Sequence, residues 1–262
     1  MIRPSSGWSP PRPRELWQYR ELLFFLAWRD LKVRYAQTVL GASWTVLQPV
    51  AMTFVFVYAF RKLAKVQTGD VPYPVFALAG FVFWTYFAKA VAQGGDSLVM
   101  NAQLLTKIYC PRLLIPVAVV LAGLVDLVLG VMFFVVFAAF YGYAPTWRLA
   151  LLPVFLALAL VFTIGFTLLL SALNVRYRDV RQGLPFLINL LLFLSPVVYP
   201  IGSRVLTVNP LVGTIEGWRW ALVGNTPPSS FALGMSVAVS LATFALGVAY
   251  FSRVERVFAD VA

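Results

Sequence analysis

The chain has 262 residues, of which 61% are hydrophobic and only 12% are charged, a composition that excludes an ordinary soluble domain. It contains no histidine and a single cysteine, Cys110, which excludes Ser-His-Asp and Cys-His catalysis, His-ligated metal sites and an internal disulfide. Lys and Arg number 21 against 10 Asp and Glu, and because this formal net charge of +11 has no compact basic domain to carry it, nucleic-acid binding is not expected.

The N-terminal segment, residues 1–40, is predicted to be a cytoplasmic tail that ends in an interfacial amphipathic helix. Its start is rich in Pro and Arg and does not lead into the short apolar stretch of a secretory signal. Over 14–35, large apolar residues recur at helical spacing, and they are Trp17, Phe24, Trp28, Leu31 and Tyr35. Charged residues lie largely on the other side, which is typical of a helix in the cytoplasmic membrane interface.

The rest of the chain, residues 41–262, is predicted to form a membrane domain of six helices. A helix that crosses about 30 Å of hydrocarbon needs roughly 20 predominantly apolar residues. Six stretches of low charge meet this need, at approximately 43–63, 73–98, 114–140, 149–173, 183–199 and 229–251. The predicted fold is therefore an all-α integral membrane protein, and the even number of spans places both termini on one side.

The positive charges fall mainly on one side of this topology. Fourteen of the 21 Lys and Arg residues lie in the N-terminal 40 residues, the loops 101–112 and 174–182, and the C-terminal tail. Six lie on the opposite side, and Lys89 lies within a span. By the positive-inside rule both termini are predicted to face the cytoplasm, so the net charge is mainly a topology signal.

The external stretch from Pro200 to Pro228 carries too many large apolar residues for a solvated loop. Within it, Asn209 followed by Pro210 is typical of a helix N-cap with proline at the first helical position. We expect short re-entrant half-helices over 201–225, with their ends buried by protein. The alternative is an amphipathic loop that rests on the membrane surface.

Two ionisable residues within the predicted spans need an explanation, because charges in hydrocarbon are costly. Lys89 precedes the 101–112 loop by twelve residues and Asp126 follows it by fourteen, on adjacent antiparallel helices. At a rise of 1.5 Å per residue their depths differ by only about 3 Å. We expect a structural Lys89–Asp126 pair, and the alternative is that Lys89 lines a polar translocation path.

The chain lacks the sequence features of an energy source. It contains no G-x-x-x-x-G-K-[ST] phosphate loop and no Gly-Lys dipeptide. A gradient-driven carrier is expected to hold intramembrane acids and repeated halves, but only Asp96 and Asp126 are candidates and no repeat is visible. ATP hydrolysis by this chain alone is therefore not expected.

Four motifs are distributed along the chain: RYAQTVLGASWTVLQP over 34–49, NAQLLTKIYCPRLLIP over 101–116, LNVRYRDV over 173–180 and VNPL over 208–211. Together they resemble the permease subunits of type-2 ABC exporters that move lipid-linked polysaccharides, the O-antigen, capsule and teichoic-acid group. Any one of these motifs alone is weak, whereas the set of four is specific.

The resemblance implies a transport subunit of the bacterial inner membrane rather than an enzyme. It implies a homodimer joined to two copies of a separate nucleotide-binding ATPase subunit, which holds ATP and Mg, while this chain holds no cofactor or metal. The implied substrate is a polysaccharide linked to undecaprenyl pyrophosphate, with O-antigen first and teichoic acid, capsule, a drug or a small lipid as alternatives. A polytopic glycosyl- or lipid-transferase is the rival class, but the sequence lacks an acidic cytoplasmic loop for a metal-bound sugar phosphate.

The resemblance also suggests roles for particular residues. Two cytoplasmic corners are expected to contact the ATPase subunit, although positive-inside anchoring explains the same charges: Lys107 and Arg112, and Tyr177, Arg178 and Asp179. The turn by which the chain enters the membrane is expected at Leu40, Gly41 and Trp44.

Two further sets of residues are candidates for substrate contact. Arg29, Lys32 and Arg34 are expected at the cytoplasmic interface, where they bind either the lipid pyrophosphate or ordinary anionic lipid. An aromatic stripe on the second helix either lines the path of the glycan or packs the helices together, and it consists of Phe76, Phe83, Trp84 and Phe87.

Overall fold

The computed structural model describes residues 18–36, 41, 43–63, 68–69, 71–102, 111–177, 179–200, 206–224 and 226–255. These residues form eight α-helices and no β-strand, which confirms the all-α class. The helices are α1 (Arg20–Tyr35), α2 (Ser43–Phe56, continued by π-helical turns over Val57–Leu63), α3 (Tyr73–Met100), α4 (Leu114–Phe140), α5 (Leu152–Arg176, preceded by a 3-10 turn over Trp147–Leu151), α6 (Asp179–Leu194), α7 (Pro210–Val223) and α8 (Ser230–Val254).

Five helical segments of the described chain are long and apolar enough to cross a membrane: Ser43–Phe60, Tyr73–Met100, Leu114–Phe140, Trp147–Arg176 and Ser230–Val254. They match five of the six predicted spans. At the predicted span 183–199 the structure instead has α6, whose 16 residues extend about 24 Å and fall short of about 30 Å of hydrocarbon. Helix α6 ends at Leu194 because Pro196 disfavours helical geometry in the residue before it. The count of six long spans is therefore not confirmed.

Helix α3 lies at the centre of the bundle. In its most apolar window 78% of the residues are buried, against 17% for α2 and 22% for α8. Helices α2, α4, α5, α6 and α7 all pack against it. The outer helices leave large apolar side chains exposed, among them Phe54 on α2 and Phe186 on α6. An exposed apolar surface of this extent fits contact with hydrocarbon or with another chain.

Helix α1 packs against α4 at one end of the bundle. Leu26 is buried in an apolar cluster that also contains residues of α3, α4, α5 and α8. Phe24 and Trp28 point away from this cluster and are 71% and 57% exposed, with their rings stacked. The predicted helix is present, but several of its charged side chains contact the bundle, so a simple division into a lipid face and a water face is not confirmed. Trp17 lies outside the described residues.

The described residues nearest the two termini share one end of the bundle, called here the terminal end. Arg29 of α1 donates a hydrogen bond to Asn101, just after α3, at 3.0 Å. Arg112, just before α4, donates to the backbone carbonyl of Glu255, just after α8, at 2.9 Å. The opposite end is called the far end.

Helix α7 is a short helix inserted at the far end, where α3, α5 and α8 begin. It starts at Pro210, and the Asn209 side chain accepts a hydrogen bond from a backbone N–H of the first turn at 3.0 Å, which confirms the predicted cap. It ends at Val223, and the next residue, Gly224, has a left-handed φ of 77°, which is typical of the residue after a helix. A preceding half-helix was also expected, but 201–205 lie outside the described residues and only a 3-10 turn, Leu206–Val208, follows them.

Candidate functional site

The Asp126 carboxylate on α4 is the centre of a buried polar junction. Its side chain is 5% exposed, and Arg34 of α1 forms an ion pair with it, Nη1 to Oδ2, at 2.5 Å. The Tyr35 hydroxyl donates to Oδ1, and the Thr45 hydroxyl of α2 donates to the same oxygen at 3.4 Å. Burial raises the pKa of Tyr35, and the hydrogen bond to Asp126 raises it further, so the phenol stays protonated and remains a donor. The end of α1 and the start of α2 thus meet at one carboxylate of α4, which is distant from both in sequence.

Arg34 also ties α1 to the central helix, because its Nη2 donates to the Gln93 side chain of α3 at 2.7 Å. Arg29 donates to its neighbouring aspartate at 2.7 Å and to Asn101 at 3.0 Å. Lys32 lies between them and is exposed. Two of the three cations that were expected to meet an anionic head group therefore already have protein partners.

A small cavity lies beside this junction. It is lined by Thr45, Val82, Thr85, Tyr86, Lys89, Asp126, Leu127 and Gly130. Lys89 and Asp126 thus lie together, as their similar depths require, but Asp126 is paired with Arg34, and Lys89 has no ion-pair partner among the described residues. The expected Lys89–Asp126 pair is therefore corrected to Arg34–Asp126. The reason is the C-terminal end of α1, which reaches the carboxylate and could not be placed from spacing along α3 and α4.

The aromatic stripe of α3 lies inside the bundle. Its four members, Phe76, Phe83, Trp84 and Phe87, are each 7% exposed or less. The rings of Phe83 and Phe87 pack against Trp218 of α7 and Phe162 of α5, with centroids 5.6 and 5.8 Å apart. The structure therefore gives this stripe a packing role. A glycan path along it would require the core of one chain to open.

A buried arginine at the far end was counted in the sequence only as a charge of an external loop. Arg219 of α7 is 2% exposed, and its Nη2 donates to the carbonyl oxygens of Pro196 at 2.6 Å and Val197 at 3.2 Å. These carbonyls follow the end of α6, where no helical N–H reaches them. The guanidinium also lies 3.5 Å from the centroid of the Phe76 ring. Asn209 adds a second cap, because it donates to the last carbonyl of α6 at 3.0 Å.

The expected membrane-entry turn is partly described. Gly41 lies between α1 and α2 with a left-handed φ of 47°, a conformation that glycine adopts without strain. Trp44 follows in the first turn of α2 and is 47% exposed. Leu40 lies outside the described residues. Thr45, also in the first turn of α2, reaches the Asp126 junction.

The model of the ABC-2 type transporter family matches residues 21–223. The chain belongs to this family. It is 32% identical, over 94% of its length, to the O-antigen export system permease protein RfbA of Myxococcus xanthus, of which 97% is covered. It is 26% identical over 92% to RfbA of Klebsiella pneumoniae, of which 95% is covered. It is 22% identical over 87% to the polysialic acid transport protein KpsM of Escherichia coli, of which 91% is covered.

One corner of this ABC-2 transporter chain joins α4 to the end of α8. The Arg112 backbone N–H donates to the Glu255 carboxylate at 3.2 Å, in addition to the guanidinium contact already described. Burial raises the pKa of Glu255, while the hydrogen bond and charge of Arg112 act in the opposite direction. Arg112 is thus held by the last helix, and Lys107 lies outside the described residues.

The other corner joins α3, α5 and α6. Asp96 of α3 accepts a hydrogen bond from Asn174 of α5 at 2.8 Å and pairs with Arg181 of α6 at 3.6 Å. Tyr177 and Asp179 are exposed beside this cluster, and Arg178 lies outside the described residues. The sequence pattern singled out the exposed residues of this corner but did not predict the cluster that holds them to the central helix.

Proposed function

We propose that the chain is the membrane permease subunit of an ATP-driven exporter of polysaccharide, with O-antigen linked to undecaprenyl pyrophosphate as the first candidate substrate. The observation that carries this proposal is similarity along more than nine tenths of the chain to two proteins named as O-antigen export permeases. Similarity to the polysialic acid transport protein is lower, so a capsule-type polysaccharide is the second candidate.

In this proposal a separate nucleotide-binding subunit holds ATP and Mg and supplies the energy, because the sequence has no phosphate loop. The exposed Tyr177 and Asp179 offer a contact surface for that subunit. Force applied there reaches the central helix through Arg181 and Asp96, which form an ion pair at 3.6 Å. Force applied near Arg112 reaches α8 through Glu255.

Two copies of the chain, each with one ATPase subunit, are proposed to enclose the glycan path between them, along α2, α3 and α6. Helices α2 and α6 pack on α3 and expose apolar rings on their outer faces. These rings are Phe54, Tyr58, Phe186 and Phe193. Aromatic faces can contact the apolar faces of sugars without holding them tightly, so exposed rings suit a moving glycan better than the buried stripe of α3.

The proposed location is the bacterial inner membrane, with the terminal end of the bundle in the cytoplasm. The support is the excess of Lys and Arg in the segments that are predicted to lie on this side, which are the N-terminal 40 residues, the loops 101–112 and 174–182, and the C-terminal tail. In this orientation α1 lies where a lipid-linked substrate arrives, and α7 lies at the external exit.

Affinity purification and complementation test the proposal. A tagged chain purified in mild detergent is expected to bring with it an ATPase that has a phosphate loop. Deletion of the gene is expected to remove the surface polysaccharide and to leave its lipid-linked form in the cytoplasmic leaflet, and expression of the chain is expected to restore export. The proposal is wrong if no such ATPase co-purifies or if the lipid-linked form does not accumulate.

A further inference from the structure

The junction around Asp126 holds more positive than negative charge. Arg34 forms an ion pair with Asp126, while Lys89 lines the adjacent cavity without an ion-pair partner among the described residues. Asp126 is the single carboxylate among the described residues that line this cavity. An ammonium group in such an apolar bundle is costly unless an anion accompanies it. With two cations and one carboxylate, the junction would be neutral if it bound one more negative charge.

Phosphate is the anion that this set of donors suits. Arg34 offers a planar fork of N–H groups and Lys89 offers a compact charge, and both groups bind phosphate oxygens well. The hydroxyls of Tyr35 and Thr45 already donate to one oxygen of Asp126, so they point at a position that an anionic oxygen occupies. The Asp126 carboxylate thus occupies the position that a phosphate group would occupy. It also accepts from the Arg34, Tyr35 and Thr45 donors that a phosphate group would use.

We propose that this junction is a phosphate site closed by its own carboxylate: Asp126 holds Arg34 until a phosphate of the lipid-linked substrate displaces it and binds Arg34 and Lys89 together. This inference rests on the proposed function, since it takes the substrate to carry a diphosphate. In this proposal Asp126 competes with the substrate phosphate for Arg34. Lys89 acts as a ligand only when that phosphate is bound.

Displacement of the carboxylate has a mechanical consequence. The C-terminal end of α1 is held to Asp126 by two adjacent residues, Arg34 and Tyr35. The other half of α1 is held separately, through buried Leu26 and the bond from Arg29 to Asn101. Binding of phosphate therefore transfers the C-terminal end of α1 from α4 to α3, where Gln93 and the phosphate bound to Lys89 hold Arg34, while the other end stays attached. This movement reports that the substrate has arrived.

The first test measures binding of undecaprenyl diphosphate to the complex of the chain with its ATPase subunit, in nanodiscs of phosphatidylcholine. Asp126→Asn is expected to tighten binding about tenfold, because the variant removes the competing charge and keeps a hydrogen-bonding group. Lys89→Met is expected to weaken it by about the same factor. Arg253→Gln, a control that removes an exposed cation from the terminal end of the bundle, is expected to change it by less than about twofold.

Three results of this test would overturn the proposal. One is unchanged or weaker binding by Asp126→Asn. Another is an equal loss in Arg253→Gln and Lys89→Met, which would indicate diffuse attraction to the membrane surface. The third is the same pattern of differences among the variants when phosphatidylglycerol replaces undecaprenyl diphosphate, which would make ordinary lipid phosphate, rather than the substrate, the ligand of the site.

A second test leaves the junction intact, so it holds even if Asp126→Asn does not fold. Spin labels are placed on cysteines at Val33 of α1 and Val128 of α4, which are 69% and 55% exposed, in a Cys110→Ser background. Undecaprenyl diphosphate is expected to lengthen this distance and to leave unchanged a control pair at Phe25 and Met100, near the attached end of α1. An unchanged Val33–Val128 distance would overturn the proposal.

Failure of this inference is distinguishable from failure of the proposed function. If polysaccharide export and co-purification of the ATPase persist while the binding and distance tests fail, only the closed phosphate site is wrong. If the chain neither restores export nor binds an ATPase, the proposed function itself is wrong.

Discussion

Arg219→Met removes the guanidinium that caps the end of α6 within the bundle. The carbonyl oxygens of Pro196 and Val197 then lose donors that lie 2.6 and 3.2 Å away. Each buried carbonyl left without a donor costs about 1–3 kcal/mol. The Phe76 carbonyl, which also accepts from Arg219, lies within α3 and keeps its helical partner. Since removal of a buried cation offsets part of the cost, we expect a net destabilisation of about 2–4 kcal/mol.

The assay is thermal unfolding of the purified chain in detergent, followed by tryptophan fluorescence, because Trp218 is buried beside the substituted residue. The unfolding temperature of Arg219→Lys is expected to lie between those of Arg219→Met and the unmodified chain, because lysine keeps the charge but lacks the planar set of guanidinium N–H donors. Arg148→Met is the matched control, since Arg148 is only partly buried and its hydrogen bond to the Gly224 carbonyl, at 3.0 Å, lies at the edge of the bundle. If Arg219→Met and Arg148→Met unfold at the same temperature, the capping argument is refuted.

Gly80→Ala tests the same contact from α3. A Cβ at Gly80 would lie 2.5 Å from the Val197 carbonyl oxygen and 3.0 Å from Nη2 of Arg219. The chain after α6 would have to move, so we expect a loss of stability similar in direction to that of Arg219→Met. A double variant that loses no more than the worse single variant would show that both act on one contact.

Three further predictions concern α7 and the terminal end. Gly217→Val is expected to lower the unfolding temperature strongly, because a Cβ there would lie 2.0 Å from the Phe155 ring, whereas Gly234→Val, where nothing lies within 4 Å, is expected to change it little. Asn209→Ala is expected to cost about 1 kcal/mol through loss of the N-cap and more through loss of its bond to the last carbonyl of α6, with Asn209→Ser, which keeps a cap acceptor, losing less in the same unfolding assay. Glu255→Ala is expected to reduce export while the ATPase subunit still co-purifies, because it releases the Arg112 backbone N–H from α8. Wild-type export by that variant would contradict a coupling role for this contact.

Several features of the fold were predictable from the sequence because they depend on neighbouring residues. Long stretches of low charge predicted the positions of five spans, since crossing hydrocarbon requires about 20 predominantly apolar residues. The cap at Asn209 and Pro210 was predictable for the same reason, since it satisfies N–H groups within one turn. The fifth span was overestimated, because an apolar composition does not reveal that the helix stops at Leu194 and that Arg219 of α7 caps the carbonyls that follow it.

The candidate site was predicted less well than the fold. The similar depths of Lys89 and Asp126 follow from counting residues, and both line one cavity. Which cation holds the carboxylate was not predictable, because the answer depends on α1, which approaches from more than 90 positions away in sequence. The aromatic stripe of α3 has a helical period in the sequence, but a period shows only that residues share a face and not whether that face is open or buried.

The sequence by itself determined that this is an all-helical membrane protein, where most of its spans lie and which side carries the positive charge, because hydropathy, charge and capping act over a few residues at a time. Only the tertiary structure decided that Arg34 pairs with Asp126, that the rings of α3 form the core and that Arg219 caps α6. Each of these contacts joins segments distant in sequence, and it is fixed by the way the helices pack. The excess of positive charge therefore has two physical meanings: most of it orients the chain, while Arg34 and Arg219 satisfy buried acceptors.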